Sequence, residues 1–373
     1  MRVAVLSHTY VEPENRKKLT ALVRHGVDVT LFAPAVWADG TLTRRWVVRR
    51  ETQHGVRIVP VPVTRLRPSP AAAWWHLAPL IEELKRGNFD LLHLEEEPWS
   101  FVAATYVHLA RRFHVPSALF TWQNLAHHPG WPLSTLRRWT LTRTDGWIAG
   151  NRAAADLLRR IDHHKPIMVL PQLGIDLPDD VVRTESQGTL RIGYVGRLIA
   201  AKGVDDLLEA LARIPEGLSW SLVVVGGGPE SEALEARATR LGIRSRVDFR
   251  GPVPHSAVGD VWRELDVLVL PSRTTPQWAE QFGHVIIEAM AHGIAVVGSS
   301  SGAIPEVIGA AGVVCPEGDA AAFAMALTKL VSDPAELAAL QASARKRAGD
   351  FTHDNVAENL LAFWQTLIGH TAG

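Results

Sequence analysis

Three strings in the second half of this 373-residue chain have residue types and spacing suited to chemistry. The first is G-R-L-I-A-A-K-G, from Gly196 to Gly203, which leads into a helical stretch. Arg197 and Lys202 there can converge on one anion, where unpaired backbone N–H groups at a helix start add positive potential. Two ordinary surface cations on a solvated loop would read the same way. The second string is G-G-G-P-E, from Gly226 to Glu230, with Pro229 placed for a first helical turn. Its glycines allow close backbone approach to a ligand, or simply a tight strand-to-helix turn. It lacks the G-x-G-x-x-G spacing of a dinucleotide fingerprint.

The third string is A-E-Q-F-G-H-V-I-I-E-A-M-A-H-G, from Ala279 to Gly293. Glu280 falls in a loop and Glu288 on the first turns of a helix, with Phe282-Gly283-His284 as the turn between them. Two carboxylates so placed can straddle a ligand and accept hydrogen bonds from vicinal hydroxyls, as sugars present them. A glutamate near a helix start also offsets the helix dipole. Glu288, however, has Ile286, Ile287, Ala289 and Met290 around it, where a carboxylate needs partners. In the first half, His8 follows the first strand, and Gln123 and Asn124 stand in T-W-Q-N with His127 and His128 downstream.

These residues need a frame. Short, nearly all-apolar runs begin at Val3, Val27, Val56, Leu91, Ser117, Trp147 and Ile167, then again at Leu190, Trp220, Val247, Val267 and Ala295. Helical stretches separate most of them: Glu14–His25, Ala71–Arg86, Phe101–Phe113 and Ala153–Ile161, then Val204–Arg213, Ser231–Leu241, Ala257–Glu264 and Val285–His292. Strands of this kind are parallel and buried on both faces. The alternation predicts an α/β doubly wound sheet in each half, with ligands at the carboxyl ends of the strands. Helices fill Ala320–Leu367, with Pro334 at a first helical position after Asp333. The polar segment Pro178–Gly188 reads as a linker.

Composition narrows the class. The chain is 47% hydrophobic and 21% charged, which excludes wholesale disorder. Lys plus Arg and Asp plus Glu each total 39, so no global basic field for nucleic acid exists. The halves differ, with 23 basic against 17 acidic residues in 1–180 and 16 against 22 in 181–373. Cys315 is the single cysteine, so no intrachain disulfide forms, and no Cys/His pattern reads as a zinc site. The apolar run after Met1-Arg2 is too short for a secretory signal, and no stretch approaches the ~18 apolar residues of a membrane span. A cytoplasmic protein is expected.

The chain order is strand-G-R…K-G, strand-G-G-G-P-E, R-G-P-V-P (Arg250–Pro254), L-P-S (Leu270–Ser272), then Glu280 and Glu288. It resembles the family 4 retaining glycosyltransferases, whose E-x7-E pair and G-R-x…K-G basic pair recur in this order. The resemblance implies a GT-B fold: two doubly wound Rossmann-like domains facing across a cleft, with a C-terminal helix crossing back to the first. The implied ranges are 1–180 for an acceptor-binding domain, 181–350 for a nucleotide-sugar-binding domain, and 351–373 for the returning helix. It further implies that Arg197 and Lys202 hold the donor diphosphate, while Glu280 and Phe282-Gly283-His284 contact the transferred sugar. Glu288 would hold the ribose, Val253 would lie in the loop meeting the nucleobase, and Gly196 and Gly226 would open the donor loops.

No metal or other cofactor is implied beyond the nucleoside-diphosphate sugar as co-substrate, and the sequence has no D-x-D. The first half departs from the family pattern. Ser7–Arg16 replaces a Gly-Gly turn, and Gln123 stands where a histidine is usual. That leaves His8, Gln123 and Asn124 as the acceptor-side residues, for a glycan or lipid-linked hydroxyl. Nine of 13 tryptophans and several arginine pairs lie in the first half. Trp74-Trp75 within this basic domain suggests peripheral contact with an anionic membrane, at its inner face. Core packing accounts for most of the tryptophans. Two other readings stay open: a GT-B sugar-nucleotide isomerase or epimerase using Glu95-Glu96-Glu97, and a nucleotide-sugar-binding protein without turnover.

Overall fold

A computed structural model describes every residue except 39–44, 66–72, 88, 127–129, 180–187, 255–256 and 372–373. His127, His128 and most of the expected linker lie outside the described residues. The chain divides into two units, Met1–Gly174 with His353–Gly373, and Ile175–Thr352.

The first unit is built on an eight-stranded sheet. Its order from edge to edge is Ile167–Val169, Gly146–Ala149, Ser117–Thr121, Leu91–Leu94, Arg2–Leu6, Asp28–Pro34, Val56–Val61 and Glu51–Gln53. All neighbours pair in parallel except the last two strands, which form an antiparallel hairpin. Val3 to Leu6, Leu91 to Leu94 and Ser117 to Thr121 are buried without alternation, as strands covered on both faces must be. Ser100 caps helix Phe101–Arg112 by accepting from the Ala103 N–H, and Asn151 does the same for Arg152–Arg159 from Ala154.

The second unit carries a six-stranded, wholly parallel sheet: Val247–Gly251, Trp220–Val225, Leu190–Val195, Val267–Leu270, Ala295–Ser299 and Val313–Cys315. Its helices begin within one residue of their expected starts, at Val204, Ser231, Val258 and His284. Asp333 caps helix Pro334–Ala348 through the N–H groups of Ala335 and Glu336, with Pro334 in the first turn.

One expectation changes, and two further elements went unread. The stretch 71–86 is not one helix: Ala73–Trp75 pairs antiparallel with Val63–Arg65, and the helix spans only Ala78–Lys85. Pro79 suits a first turn and not a helix interior, which forces the later start. Trp75 is consequently core, and Trp74 alone of that pair is exposed. Helix Leu133–Arg143 and strand Val313–Cys315 carry too weak a period to be read from sequence.

Helix His353–Thr371 belongs to the first unit, where Val356, Leu360, Phe363, Trp364 and Leu367 join its hydrophobic core. Gly146 leaves room for it: a Cβ there would lie 2.6 Å from Leu367 Cδ2. Trp364 is fully buried. Trp364→Ala is expected to cost the first unit about 3–5 kcal/mol by urea denaturation. A loss under about 1 kcal/mol would mean that the returning helix adds little to this core.

Candidate functional site

In the second unit, the loops after five adjacent parallel strands emerge at one edge of the sheet. Backbone contacts lock the first two together. The Leu198 N–H donates to Gly227 O at 2.9 Å, and the Glu230 N–H to Leu198 O at 3.1 Å. Gly226 has φ +139°, and a Cβ there would lie 1.8 Å from Gly196 O. Gly226, and Gly228 with a Cβ 2.2 Å from Leu198 O, are therefore required by loop-on-loop contact within the protein itself. Gly203, at φ +64°, precedes helix Val204–Ala212 and would carry a Cβ 2.1 Å from Pro271 O, so the loop after Leu270 is pressed against the same assembly.

That packing brings Lys202 to Glu280. Lys202 Nζ lies 2.5 Å from Glu280 Oε2, the Ser272 hydroxyl donates to the same oxygen at 3.0 Å, and Nζ sits 4.9 Å from the Trp278 ring centroid. Glu280 is buried, and its carbonyl accepts from the Ala303 N–H at 2.9 Å. Arg197 is exposed, with its carbonyl held by the Tyr194 hydroxyl at 2.8 Å. Burial, with Glu280 nearby, raises the Tyr194 phenol above its ordinary value.

Gly283, at φ +78°, turns the chain into helix His284–Ala291. Phe282 is buried against Phe351 and His284, with centroids 5.7 Å and 4.9 Å away. Burial pushes the His284 imidazole down to about 4, so it is neutral near pH 7. Glu288 lies one turn further along the helix, half-buried, and its carbonyl contacts His292 Nδ1 at 2.9 Å. Val253 is half-buried in the loop after Val247–Gly251.

The first unit has its own polar edge. The His8 N–H and Nδ1 both meet Glu96 Oε1, at 2.7 Å and 2.6 Å, and its ring lies 5.1 Å from that of Trp37. Gln123 donates from its backbone to Thr121 Oγ1 and from its side chain to Leu125 O, each at 3.2 Å; Asn124 is half-buried beside it. Sequence reasoning missed how Glu95 is used. Glu95 is buried and takes Lys18 Nζ at 2.5 Å, the Tyr10 hydroxyl at 2.7 Å, His93 Nε2 at 2.8 Å and Gln172 Nε2 at 3.1 Å. Burial alone would raise its pKa, but Lys18 and His93 outweigh burial and hold it well below the usual range. Glu95 is thus a structural centre, and the triple-glutamate string serves three separate purposes.

Glu97, in the same string, accepts from the Thr121 hydroxyl at 2.6 Å and the Trp122 N–H at 3.2 Å. Among the described residues, no three His, Cys, Asp or Glu side chains gather as a metal site. None of the described helices is long and apolar enough to cross a membrane.

Comparison with known proteins places both halves. The family model for glycosyl transferases group 1 matches residues 180–347, and that for the glycosyl transferase 4-like domain matches residues 13–172. The 2-deoxystreptamine glucosyltransferase of Streptomyces kanamyceticus is 28% identical over 362 residues, covering 86% of this chain and 91% of that protein. D-inositol 3-phosphate glycosyltransferase 1 of Catenulispora acidiphila is 35% identical over 187 residues, which span 47% of this chain and less than half of that relative, 44%. In fold, Anabaena HepE solved with UDP superposes at a TM-score of 0.72 with 19% identity, covering 98% of this chain and 100% of that one.

Burial raises the Glu97 carboxyl from 4.5 to about 7, against the opposing hydrogen bonds from Thr121 and Trp122. A carboxyl raised in the folded state favours folding while protonated, so its contribution is present below its ordinary value and is lost as pH rises towards 7. Glu97→Gln should therefore flatten the fall in stability between about pH 4.5 and 7. Denaturation curves at several pH values check this, and an unchanged slope would mean that Glu97 ionises normally.

Proposed function

The chain belongs to the glycosyltransferases of the GT-B fold, and from that premise we propose that it moves a sugar from a nucleoside-diphosphate sugar to a hydroxyl acceptor with retention of anomeric configuration. The observation that carries this reading is the Lys202–Glu280–Ser272 cluster, set beside Arg197 and two helix starts at one edge of the second sheet. Cationic side chains and free N–H groups suit a diphosphate, and a buried carboxylate next to them suits sugar hydroxyls. The UDP bound by Anabaena HepE and the glucosyl transfer named for the Streptomyces kanamyceticus relative support a nucleotide-sugar donor.

In this reading the donor binds the second unit. Lys202, now the counter-ion of Glu280, turns part of its charge towards the diphosphate. Glu280 then accepts from the sugar's hydroxyls, and Glu288 from the ribose. As the bond between the anomeric carbon and the phosphate oxygen breaks, negative charge grows on the leaving group, and Arg197 and Lys202 stabilise it there. The acceptor hydroxyl attacks the same face, its proton passing to the departing phosphate oxygen, which gives retention. Two side-chain cations take the charge that a metal would otherwise take, so the transfer is metal-independent. The acceptor, a glycan or a lipid-linked hydroxyl, binds the first unit through His8, Gln123 and Asn124.

Donor hydrolysis without acceptor tests the clamp. Arg197→Ala or Lys202→Ala should each slow it ~10²–10³-fold and weaken binding of the free nucleoside diphosphate. Glu288→Ala should weaken the nucleotide more than Glu280→Ala does, as measured by calorimetry. Wild-type hydrolysis and affinity in these variants would refute the assignment, and product NMR showing the inverted anomer would refute retention.

A further inference from the structure

The first unit exposes an apolar groove that the proposed reaction does not use. It holds about 590 Å³ between helices Phe101–Arg112 and Leu133–Arg143, with Phe101, Leu136 and Trp139 along it and Trp131 and Leu133 at its mouth. Trp131 is 85% exposed, the most exposed large apolar side chain among the described residues. Exposed Trp74 lies next to the groove, its ring 6.4 Å from that of Phe101. Scattered apolar residues on a surface are ordinary, but a continuous groove with a tryptophan projecting from its mouth calls for an occupant.

Charge says which kind. Residues 98–144 contain five arginines and no aspartate or glutamate. Arg111, Arg112, Arg138 and Arg143 on the two helices are all exposed, and Arg143 stacks over Trp139 at 4.9 Å. An apolar floor, tryptophan at the rim and arginines able to extend polar heads from apolar stems match a lipid interface with anionic headgroups. Sequence pointed to a membrane through Trp74-Trp75; Trp75 is buried, and the apolar surface is the groove that Trp74 borders.

We propose that this groove is a docking surface for an anionic lipid bilayer, with Trp131 and Leu133 entering the headgroup region and the arginines meeting phosphates. Phe101 and Leu133 begin helices that follow the strands Leu91–Leu94 and Ser117–Thr121, so the apolar end of the groove lies at the sheet edge that also carries His8, Gln123 and Asn124. If those residues hold the acceptor, as in the reading above, docking delivers that edge to acceptors held in a membrane.

Flotation of the full chain with vesicles tests the surface independently of catalysis. Vesicles of phosphatidylcholine with about 30 mol% phosphatidylglycerol should carry the protein at about 50 mM salt and release most of it at about 500 mM. Phosphatidylcholine alone should carry little. Trp131→Ser with Leu133→Ser, and separately Arg111→Glu with Arg112→Glu, should each lower partitioning at least about tenfold. The thermal midpoint and donor hydrolysis in solution should stay unchanged. Absence of flotation with anionic vesicles at low salt, or equal flotation of the variants, overturns the proposal. So does a wild-type dimer that Trp131→Ser converts to monomer, which would make a second copy the occupant. Intact flotation with no donor turnover would count against the proposed reaction and leave the docking surface standing.

Discussion

Parallel strands cannot be joined by a tight turn. Each is reached through a crossover, so the loops that leave the strands emerge at one edge of the sheet. Both units obey this constraint in their parallel strands, and it decides where the candidate site residues gather. In the second unit it collects Gly196–Gly203, Gly226–Glu230, Pro252–Pro254 and Pro271–Gly283. In the first it collects His8, Glu95 to Glu97, and Trp122 to Asn124. Crowding follows at once. Where Gly226 passes Gly196, and Gly203 passes Pro271, no side chain fits, and the glycines are there for the neighbouring loop before any ligand arrives.

Each edge also holds a lysine–glutamate pair, and the two differ in what surrounds them. Lys18 and Glu95 are both fully enclosed, and Tyr10, His93 and Gln172 complete the hydrogen bonding of the carboxylate. A buried pair is weak support for stability as such, yet removing one member leaves an uncompensated charge. Lys202 and Glu280 stand differently: Glu280 is buried, Lys202 is half-buried, and Ser272 and the Trp278 ring lie beside them.

Much of this was legible in the residues. The long apolar runs became strands, and the helices after Gly203, Glu230 and Gly283 begin within a residue or two of their expected starts. Three-residue strands such as Val36–Ala38 and Ala73–Trp75 are too short for a period to show, and their pairing across a hairpin is a tertiary fact. At the site, Lys202 and Glu280 were each recognisable by type, but not as partners, since 78 residues separate them and only the strand order brings them together. Lys18 is the second lysine of K-K-L. Its burial against Glu95, 77 residues away, has no local signal.

The path of the chain has a consequence for synthesis. The second unit, Ile175–Thr352, is inserted into the first, and its two ends are paired, with the Ile175 N–H donating to Phe351 O at 2.9 Å. The first sheet is therefore translated long before helix His353–Thr371, which supplies Trp364 and Leu367 to its core. Until that helix emerges, the nascent sheet keeps an uncovered apolar face, while the inserted unit already has all its strands. Domains usually complete in the order in which they are made. Here the insertion reverses that order: the half begun first is the half finished last, and its open face is the period in which a chaperone or a misdocked neighbour would act.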